Sequence, residues 1–261
     1  MGEIEIDERP DGVRVVRLNR PDRLNALTPG MVAQVTEAMR VEREHRAIVI
    51  TGNGRGFCAG VDIAGAHERQ EGRSNADGFA LQERFAGMVL AVARAPVPVI
   101  SAVNGPAAGA GLAIALASDV RIASETARFI IGAPNIGLSA GECGISYFLP
   151  RIVGMGRAAE IMLTNRHLQA AEALSTGLVT GLAGLDDLPS ATDRLVEQIV
   201  ALSPFGQKMT KQVYRANVDA RSLEEAIELE NRTQILANAT ADAAEARAAF
   251  LAKRRPHFTG R

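Results

Sequence analysis

The segment NGPAAGAGLAIALASDVRIAS, residues Asn104–Ser124, follows the apolar run PVISAV and combines three structural signals. A glycine-rich turn comes first, the apolar stretch GAGLAIALAS with helical spacing comes next, and the strand-like DVRIAS ends the segment. Strands that alternate with helices usually pair in parallel through crossover helices. The segment therefore predicts a turn, a helix and a parallel strand of an α/β fold.

The same alternation extends toward the amino terminus. EIEIDE and GVRVVRLNR alternate apolar and polar residues on either side of Pro10–Gly12, which predicts a β-hairpin. Thr28 is a typical helix-capping residue, Pro29 suits the first helical position, and apolar residues recur at helical spacing from Met31 to Met39. The apolar run AIVITG then predicts a further strand.

Beyond about Gly154 the apolar spacing becomes helical. We expect an α/β core over residues 1–195 and a helical C-terminal region over residues 196–261. Low aromatic content, 4%, and the absence of Trp predict a core packed mainly by Ala, Val, Leu and Ile.

The composition disfavours several classes of partner. The 29 basic and 30 acidic residues give a formal net charge of −1, which provides no general field for nucleic acid or an anionic membrane. Two cysteines are too few for a disulfide framework and lack metal-type spacing. No segment approaches the roughly 20 apolar residues of a membrane span, and the amino terminus lacks a signal-peptide run. We expect a cytoplasmic protein without a metal, a membrane or a nucleic-acid partner.

Two glycine-rich loops follow apolar strands: GNGRGFCAGVDI and NGPAAGAGLAIA. In such loops backbone N–H groups can approach a ligand closely, and a following helix N-terminus adds positive potential. The first loop lacks the Lys-Ser/Thr of a P-loop, and the second lies far from the first strand, where a dinucleotide fingerprint belongs. Nucleotide binding of either kind is therefore disfavoured.

Six motifs occur in order between Leu18 and Gly154: LNRPDRLNALT, FCAGVDI, NGPAAGAGLAIALASDVRIAS, ARF, IGL and LPRIVG. In this order and spacing they resemble the crotonase superfamily, the enoyl-CoA hydratase and isomerase group. The resemblance implies an α/β spiral of ββα units with a helical C-terminal trimerisation region. It also implies an acyl-CoA thioester substrate, a homotrimer or dimer of trimers, and no cofactor beyond the coenzyme A of the substrate.

The resemblance further implies an oxyanion hole, in which two backbone N–H groups hydrogen-bond the thioester oxygen as it becomes enolate-like. Motif position assigns these donors to Val61 in AGVD and Ala110 in AGAG. Each donor of this type is worth about 3–4 kcal/mol of transition-state stabilisation. Further contacts to the acyl-CoA are expected from Arg23, Ala26, Ala59, Val61, Asp62, Ile63, Ala110, Lys253 and Phe258. Among these, Asp62 is more typical of a loop-ordering acid than of a base.

The chain departs from the family at the two glutamates that hydratases commonly use. Alignment of the motifs places Ala113 and Ala133 at those positions. Water addition needs a positioned base and a positioned acid, which a carboxylate pair can provide. The departure therefore favours a reaction other than standard hydration.

Glu142, in GLSAGECGIS, is the only charged residue between Arg128 and Arg151. Relatives that isomerise dienoyl-CoA or dehalogenate aroyl-CoA carry an Asp in the corresponding region. An isolated acid in an apolar pocket has a raised pKa, which suits reversible proton transfer to and from carbon. We predict isomerase-like proton transfer by Glu142, assisted by the Val61 and Ala110 N–H groups.

Several alternatives stay open on the sequence alone. The chain could be a hydratase with a non-standard acid and base, an acyl-CoA-binding protein without catalysis, or a scaffold. Glu142 could be a solvent-facing loop acid, and the adjacent Cys143 could be an inert core residue or a thiol nucleophile. The polar segment Ala64–Gly78 lies where relatives shape the acyl pocket, so the acyl group cannot be identified from the motifs.

Overall fold

The structure, a computed structural model, describes residues 2–63 and 74–261. Most of the segment expected to shape the acyl pocket, residues 64–73, therefore lies outside the described residues. Within the described ranges, no helix combines the length and the apolar character that a membrane crossing requires.

The main sheet has the strand order β1-β2-β3-β4-β6-β9. β1 pairs antiparallel with β2, and every later pair in this sheet is parallel. The predicted hairpin and the predicted parallel crossovers are thus confirmed. The strands are β1 (Ile4–Glu8), β2 (Val13–Leu18), β3 (Ala47–Gly52), β4 (Val99–Val103), β5 (Ala107–Ala108), β6 (Val120–Ser124), β7 (Arg128–Ile130), β8 (Leu168–Gln169) and β9 (Gly181–Ala183).

A small second sheet, β5-β7-β8, lies beside the glycine-rich turns. β5 pairs parallel with β7, and β7 pairs antiparallel with β8. The isolated bridge between Cys58 and Ala107 joins this sheet to the loop after β3. The second sheet therefore brings the two predicted oxyanion loops side by side.

Helices cover both faces of the main sheet and form the C-terminal region. They are α1 (Pro29–Ala38), α2 (Asn75–Arg94), α3 (Ala110–Ala117), α4 (Ile145–Val153), α5 (Met155–Thr164), α6 (Ala170–Ser175), α7 (Leu188–Val200), α8 (Pro204–Asn217), α9 (Leu223–Asn238) and α10 (Ala241–Leu251). The predicted cap of α1 is confirmed, because the Thr28 side chain accepts a hydrogen bond from the Met31 N–H at 3.1 Å.

Two apolar layers flank the sheet. The larger layer contains α1, α2 and α3, and the smaller layer packs α7 against the outer face of the strands. Every residue of α3 is buried, and four of its eight residues are alanine, which lets the helix pass close to its neighbours. The prediction of a core built mainly from small and aliphatic side chains is confirmed.

The helical spacing beyond about Gly154 is interrupted by two short strands that the sequence pattern did not reveal. β8 and β9 lie there, and β9 extends the main sheet by pairing with β6. Strands of two and three residues are too short to show a two-residue period, and they form through their partners rather than through local pattern. The predicted boundary between the α/β core and the helical C-terminal region, after residue 195, falls inside α7. The division of the chain into these two regions stays a prediction.

Candidate active site

A cavity of about 620 Å³ opens where the loops after β3 and β4 approach α2 and the segment before α4. Its lining is mainly apolar and comes from four parts of the chain that are distant in sequence. The lining residues are Ala59, Gly60, Val61, Ile63, Ser74, Asn75, Gly78, Leu81, Gln82, Phe85, Ala108, Gly109, Ala110, Ile131, Gly132, Ala133, Ile136, Leu138 and Glu142.

Within the described chain, the backbone N–H of Val61 is free to donate a hydrogen bond to a ligand, whereas backbone groups of its two neighbours are already bonded to Leu27. Gly60 C=O accepts from the Leu27 N–H at 2.7 Å, and the Asp62 N–H donates to Leu27 C=O at 3.0 Å. These two bonds hold the residues on either side of Val61 against Leu27. In the part of the chain that the structure describes, no acceptor is bonded to the Val61 N–H.

Ala110 presents the second N–H. It is the first residue of α3, so its N–H has no acceptor within the helix. The preceding Gly109 has a φ of 51°, a left-handed backbone that favours glycine and turns the chain sharply into the helix. The Ala110 N–H therefore lies at the positive end of α3, where negative charge on a ligand is stabilised.

Gly60 lets its own loop, which carries Val61, approach the loop that carries Ala110 closely. A side-chain Cβ at Gly60 would lie 3.4 Å from the Ala110 nitrogen and 2.9 Å from the Ala108 oxygen. Gly60 also has a φ of 87°, which residues with a side chain adopt only with strain. Because Val61 directly follows Gly60, its N–H and that of Ala110 belong to one small region of the cavity wall.

Glu142 lines the same cavity and is half-buried. One of its carboxylate oxygens would lie 3.6 Å from a Cβ on Gly109, the residue before Ala110. Burial raises the pKa of the Glu142 carboxyl above its ordinary value of 4.5. Across residues 2–63 and 74–261, no hydrogen bond or ion pair engages this carboxylate. The Glu142 carboxylate thus lies close to the residue that precedes Ala110, and no described residue bonds to it.

The two alanines at the hydratase positions differ in their surroundings. Ala133 lines the cavity, whereas Ala113 is fully buried in α3 and is not part of the lining. Among the cavity residues that the structure describes, Glu142 is the only charged one. These residues therefore provide one carboxylate where a standard hydratase would provide two.

Burial disfavours the reactive thiolate form of both cysteines. Burial raises the pKa of the Cys143 thiol to about 11 and that of the Cys58 thiol to about 12. The Cys143 sulfur accepts a 3.5 Å hydrogen bond from the Gln82 side chain. The raised pKa of the Cys143 thiol agrees with the interpretation of Cys143 as an inert residue.

The residues expected near coenzyme A occupy different positions. Ala59 and Ile63 line the cavity, while Arg23 is exposed at the end of the short 3-10 helix Pro21–Arg23. Ala26 is buried, and its C=O already accepts from the Arg20 guanidinium at 2.6 Å. Asp62 lies outside the lining and pairs with Arg20 at 2.9 Å, which agrees with a loop-ordering acid.

Lys253 and Phe258 do not line this cavity. Lys253 is exposed after α10, and Phe258 lines a separate cleft with residues such as Phe205 and Ala237. The contact that the resemblance implies for them is to the coenzyme A of a neighbouring subunit, and it stays a prediction.

Sequence reasoning missed three residues that bear on the site. Gln82 and Phe85 lie on α2 and line the cavity, but their spacing is that of any amphipathic helix. Arg20 contacts Asp62, next to Val61, and the Ala26 C=O, next to Leu27, although in the motif LNRP it is an ordinary basic residue. The role of Arg20 cannot be predicted from local sequence, because its partner Asp62 is 42 residues away along the chain.

Comparison with known proteins supports one family. The family model for enoyl-CoA hydratase/isomerase matches residues 8–261. A 1,2-epoxyphenylacetyl-CoA isomerase of Escherichia coli is 36% identical over 253 residues, 96% of each chain. A probable enoyl-CoA hydratase of Mycobacterium tuberculosis is 38% identical over 259 residues, 96% of this chain and 90% of its own. The crystal structure of an enoyl-CoA hydratase from Bacillus anthracis superposes with a TM-score of 0.93 at 27% identity, covering all of both chains.

The fold and the cavity between its glycine-rich loops define an α/β enzyme of the crotonase type. The chain belongs to the enoyl-CoA hydratase/isomerase family of the crotonase superfamily. It is accordingly an enzyme of the lyase or isomerase type.

Proposed function

We propose that this enzyme moves the carbon–carbon double bond of an enoyl-CoA thioester by a proton transfer through Glu142. The observation that supports this most strongly is the composition of the cavity: one half-buried carboxylate beside two available N–H groups. Family membership supports an acyl-CoA thioester as the substrate.

The proposed reaction proceeds in two proton transfers. The thioester oxygen of a 3-enoyl-CoA accepts hydrogen bonds from the Val61 and Ala110 N–H groups. Glu142 removes a proton from C2, and the electrons of that C–H bond move into a dienolate whose negative charge rests on the thioester oxygen. The protonated Glu142 then returns the proton to C4, the carbonyl re-forms, and the double bond lies between C2 and C3.

Hydration fits the described cavity less well. It requires one group to activate water and another to protonate carbon, and Ala113 and Ala133 stand where family hydratases commonly carry these acids. A relative described as a probable enoyl-CoA hydratase nevertheless makes hydration, through a non-standard acid and base, the second candidate.

A homotrimer or a dimer of trimers is the proposed assembly. Large apolar side chains on the C-terminal helices are strongly exposed in the single chain, which supports contact with further subunits. They include Leu223, Ile235, Leu236, Phe250 and Leu251.

The fate of a deuterium label distinguishes these reactions. With a 3-enoyl-CoA carrying deuterium at C2, we expect isomerisation in ordinary water to deliver part of the label to C4, because one carboxylate serves both carbons. The measurement is NMR or mass spectrometry of the product, with crotonyl-CoA hydration assayed in parallel. A product without label at C4 would contradict direct return of the same proton by Glu142, and crotonyl-CoA hydration without isomerisation would overturn the proposal.

The pH dependence should reflect the burial of Glu142. The reaction needs the carboxylate form, which is lost as the pH falls through the raised pKa of Glu142. We expect kcat/KM for isomerisation to decline on the acid side with an apparent pKa above 4.5, the ordinary value for Glu. Circular dichroism at each pH controls for unfolding. An acid limb centred at or below 4.5 would contradict a desolvated base.

A further inference from the structure

The direction of the Val61 N–H is set by the backbone of Leu27. Leu27 bonds both neighbours of Val61, through Gly60 C=O at 2.7 Å and the Asp62 N–H at 3.0 Å. A displacement of Leu27 relative to Asp62 would rotate the Val61 peptide group. The question is therefore what holds these two segments together.

A single guanidinium, that of Arg20, bonds both segments. Its Nη1 donates to Ala26 C=O at 2.6 Å, next to Leu27, and its Nη2 donates to the Asp62 carboxylate at 2.9 Å, next to Val61. The side chains of Arg20 and Asp62 are only 21% and 15% exposed. Charge-assisted bonds in such a sheltered position are stronger than exposed surface pairs.

Arg20 is itself held in place. Its backbone N–H donates to the side chain of the fully buried Asn25 at 2.8 Å, and its Nε lies 3.4 Å from a Glu3 carboxylate oxygen. The other Glu3 oxygen accepts from the Thr28 hydroxyl at 2.8 Å, and Thr28 caps α1. The guanidinium is thus anchored on both sides of the Leu27 segment, which a loose surface arginine would not be.

We propose that Arg20 is a positioning residue that fixes the Val61 N–H by holding Ala26 and Asp62 in register. This inference rests on the proposed function, since it matters for the rate only if Val61 stabilises the enolate. A misplacement of about 1 Å in a catalytic group can cost about 10²-fold in rate. Loss of Arg20 should therefore act on kcat more than on KM.

The test compares Arg20→Gln with the matched variant Arg14→Gln. Like Arg20, Arg14 pairs with a carboxylate, that of Glu8 at 2.6 Å, and donates to backbone carbonyls, two in its case, but it lies at the opposite end of β2. We expect Arg20→Gln to lower kcat roughly 30- to 100-fold, with KM changed less than about threefold. Arg14→Gln should keep kcat despite a similar loss of melting temperature. Equal kcat losses in both variants would overturn the inference.

Coupling between the partners provides a second test. If Arg20 and Asp62 act through the same amide, Arg20→Gln combined with Asp62→Asn should be little worse than the poorer single variant. Arg20→Lys, which keeps the charge but loses the two-pronged geometry, should recover only part of kcat. Additive losses in the double variant would show that the two residues act independently and would contradict the inference. If Arg20→Gln does not fold, Arg20→Lys and Asp62→Asn carry the same comparison.

The carbonyl stretch of bound butyryl-CoA separates this inference from the proposed function. Two hydrogen bonds to the thioester oxygen lower the stretching frequency, which infrared difference spectra with a carbon-13 carbonyl reveal. A lowered frequency in the parent enzyme supports the oxyanion role, and we expect Arg20→Gln to lose most of that shift. An unshifted parent spectrum would contradict the proposed function. A full shift retained in Arg20→Gln would contradict the positioning role alone.

Discussion

Glu142→Gln is expected to lower kcat for isomerisation by about 10²- to 10⁴-fold, the range typical for loss of a general acid–base. The amide has nearly the same shape as the carboxylate but cannot accept the proton from C2. Affinity for the acyl-CoA should stay within a few-fold, because the proposed binding contacts come from the apolar cavity wall and the backbone N–H groups rather than from Glu142. Stopped-assay kinetics with a 3-enoyl-CoA and a binding titration measure the two effects separately.

Glu83→Gln is the matched control, because it removes an exposed carboxylate from α2 outside the cavity lining. It should leave kcat unchanged. The melting temperature of Glu142→Gln should not fall at neutral pH, since the substitution removes a charge that burial disfavours. Turnover within about tenfold of the parent enzyme would remove Glu142 from the reaction.

Ala110→Pro is expected to lower kcat by about 10²- to 10³-fold, the usual cost of losing one oxyanion donor. Proline has no N–H, yet it is well tolerated at the first position of a helix, which Ala110 occupies. The donor can thus be deleted by a substitution that suits the local backbone. Steady-state kinetics together with thermal melting measure the effect.

Ala110→Gly serves as the control because it changes the side chain and keeps the N–H. It should retain kcat within a few-fold. If Ala110→Pro folds and turns over like the parent, the N–H of Ala110 is not a donor to the transition state. If Ala110→Gly loses as much activity as Ala110→Pro, the side chain rather than the N–H matters, and the assignment is wrong.

Local pattern was sufficient for much of the fold. The hairpin, the Thr28 cap and the buried strands each show their alternation or capping residue within one short stretch of sequence. They can therefore be predicted without knowing which other segments they contact. β9 could not be predicted in this way, because its three residues become a strand only by pairing with β6.

The candidate site shows the same division between local and distant information. The family resemblance pointed to Val61, Ala110 and Glu142, and the structure places all three in the lining of one cavity. The sequence could not show that Ala113 and Ala133 differ in their access to the cavity. Packing of α3 buries Ala113, whereas Ala133 lines the cavity. Arg20 was missed because its role depends on contacts formed across 42 residues of sequence.

A crystal structure of the Glu142→Gln enzyme with bound 3-enoyl-CoA tests the central claim most directly. The account predicts that the thioester oxygen lies about 2.7–3.1 Å from both the Val61 and Ala110 nitrogens. It also predicts that the side chain at position 142 lies about 3–3.5 Å from C2 of the acyl group. A thioester oxygen bonded to neither amide, or a side chain at position 142 turned away from C2 toward solvent, would contradict it.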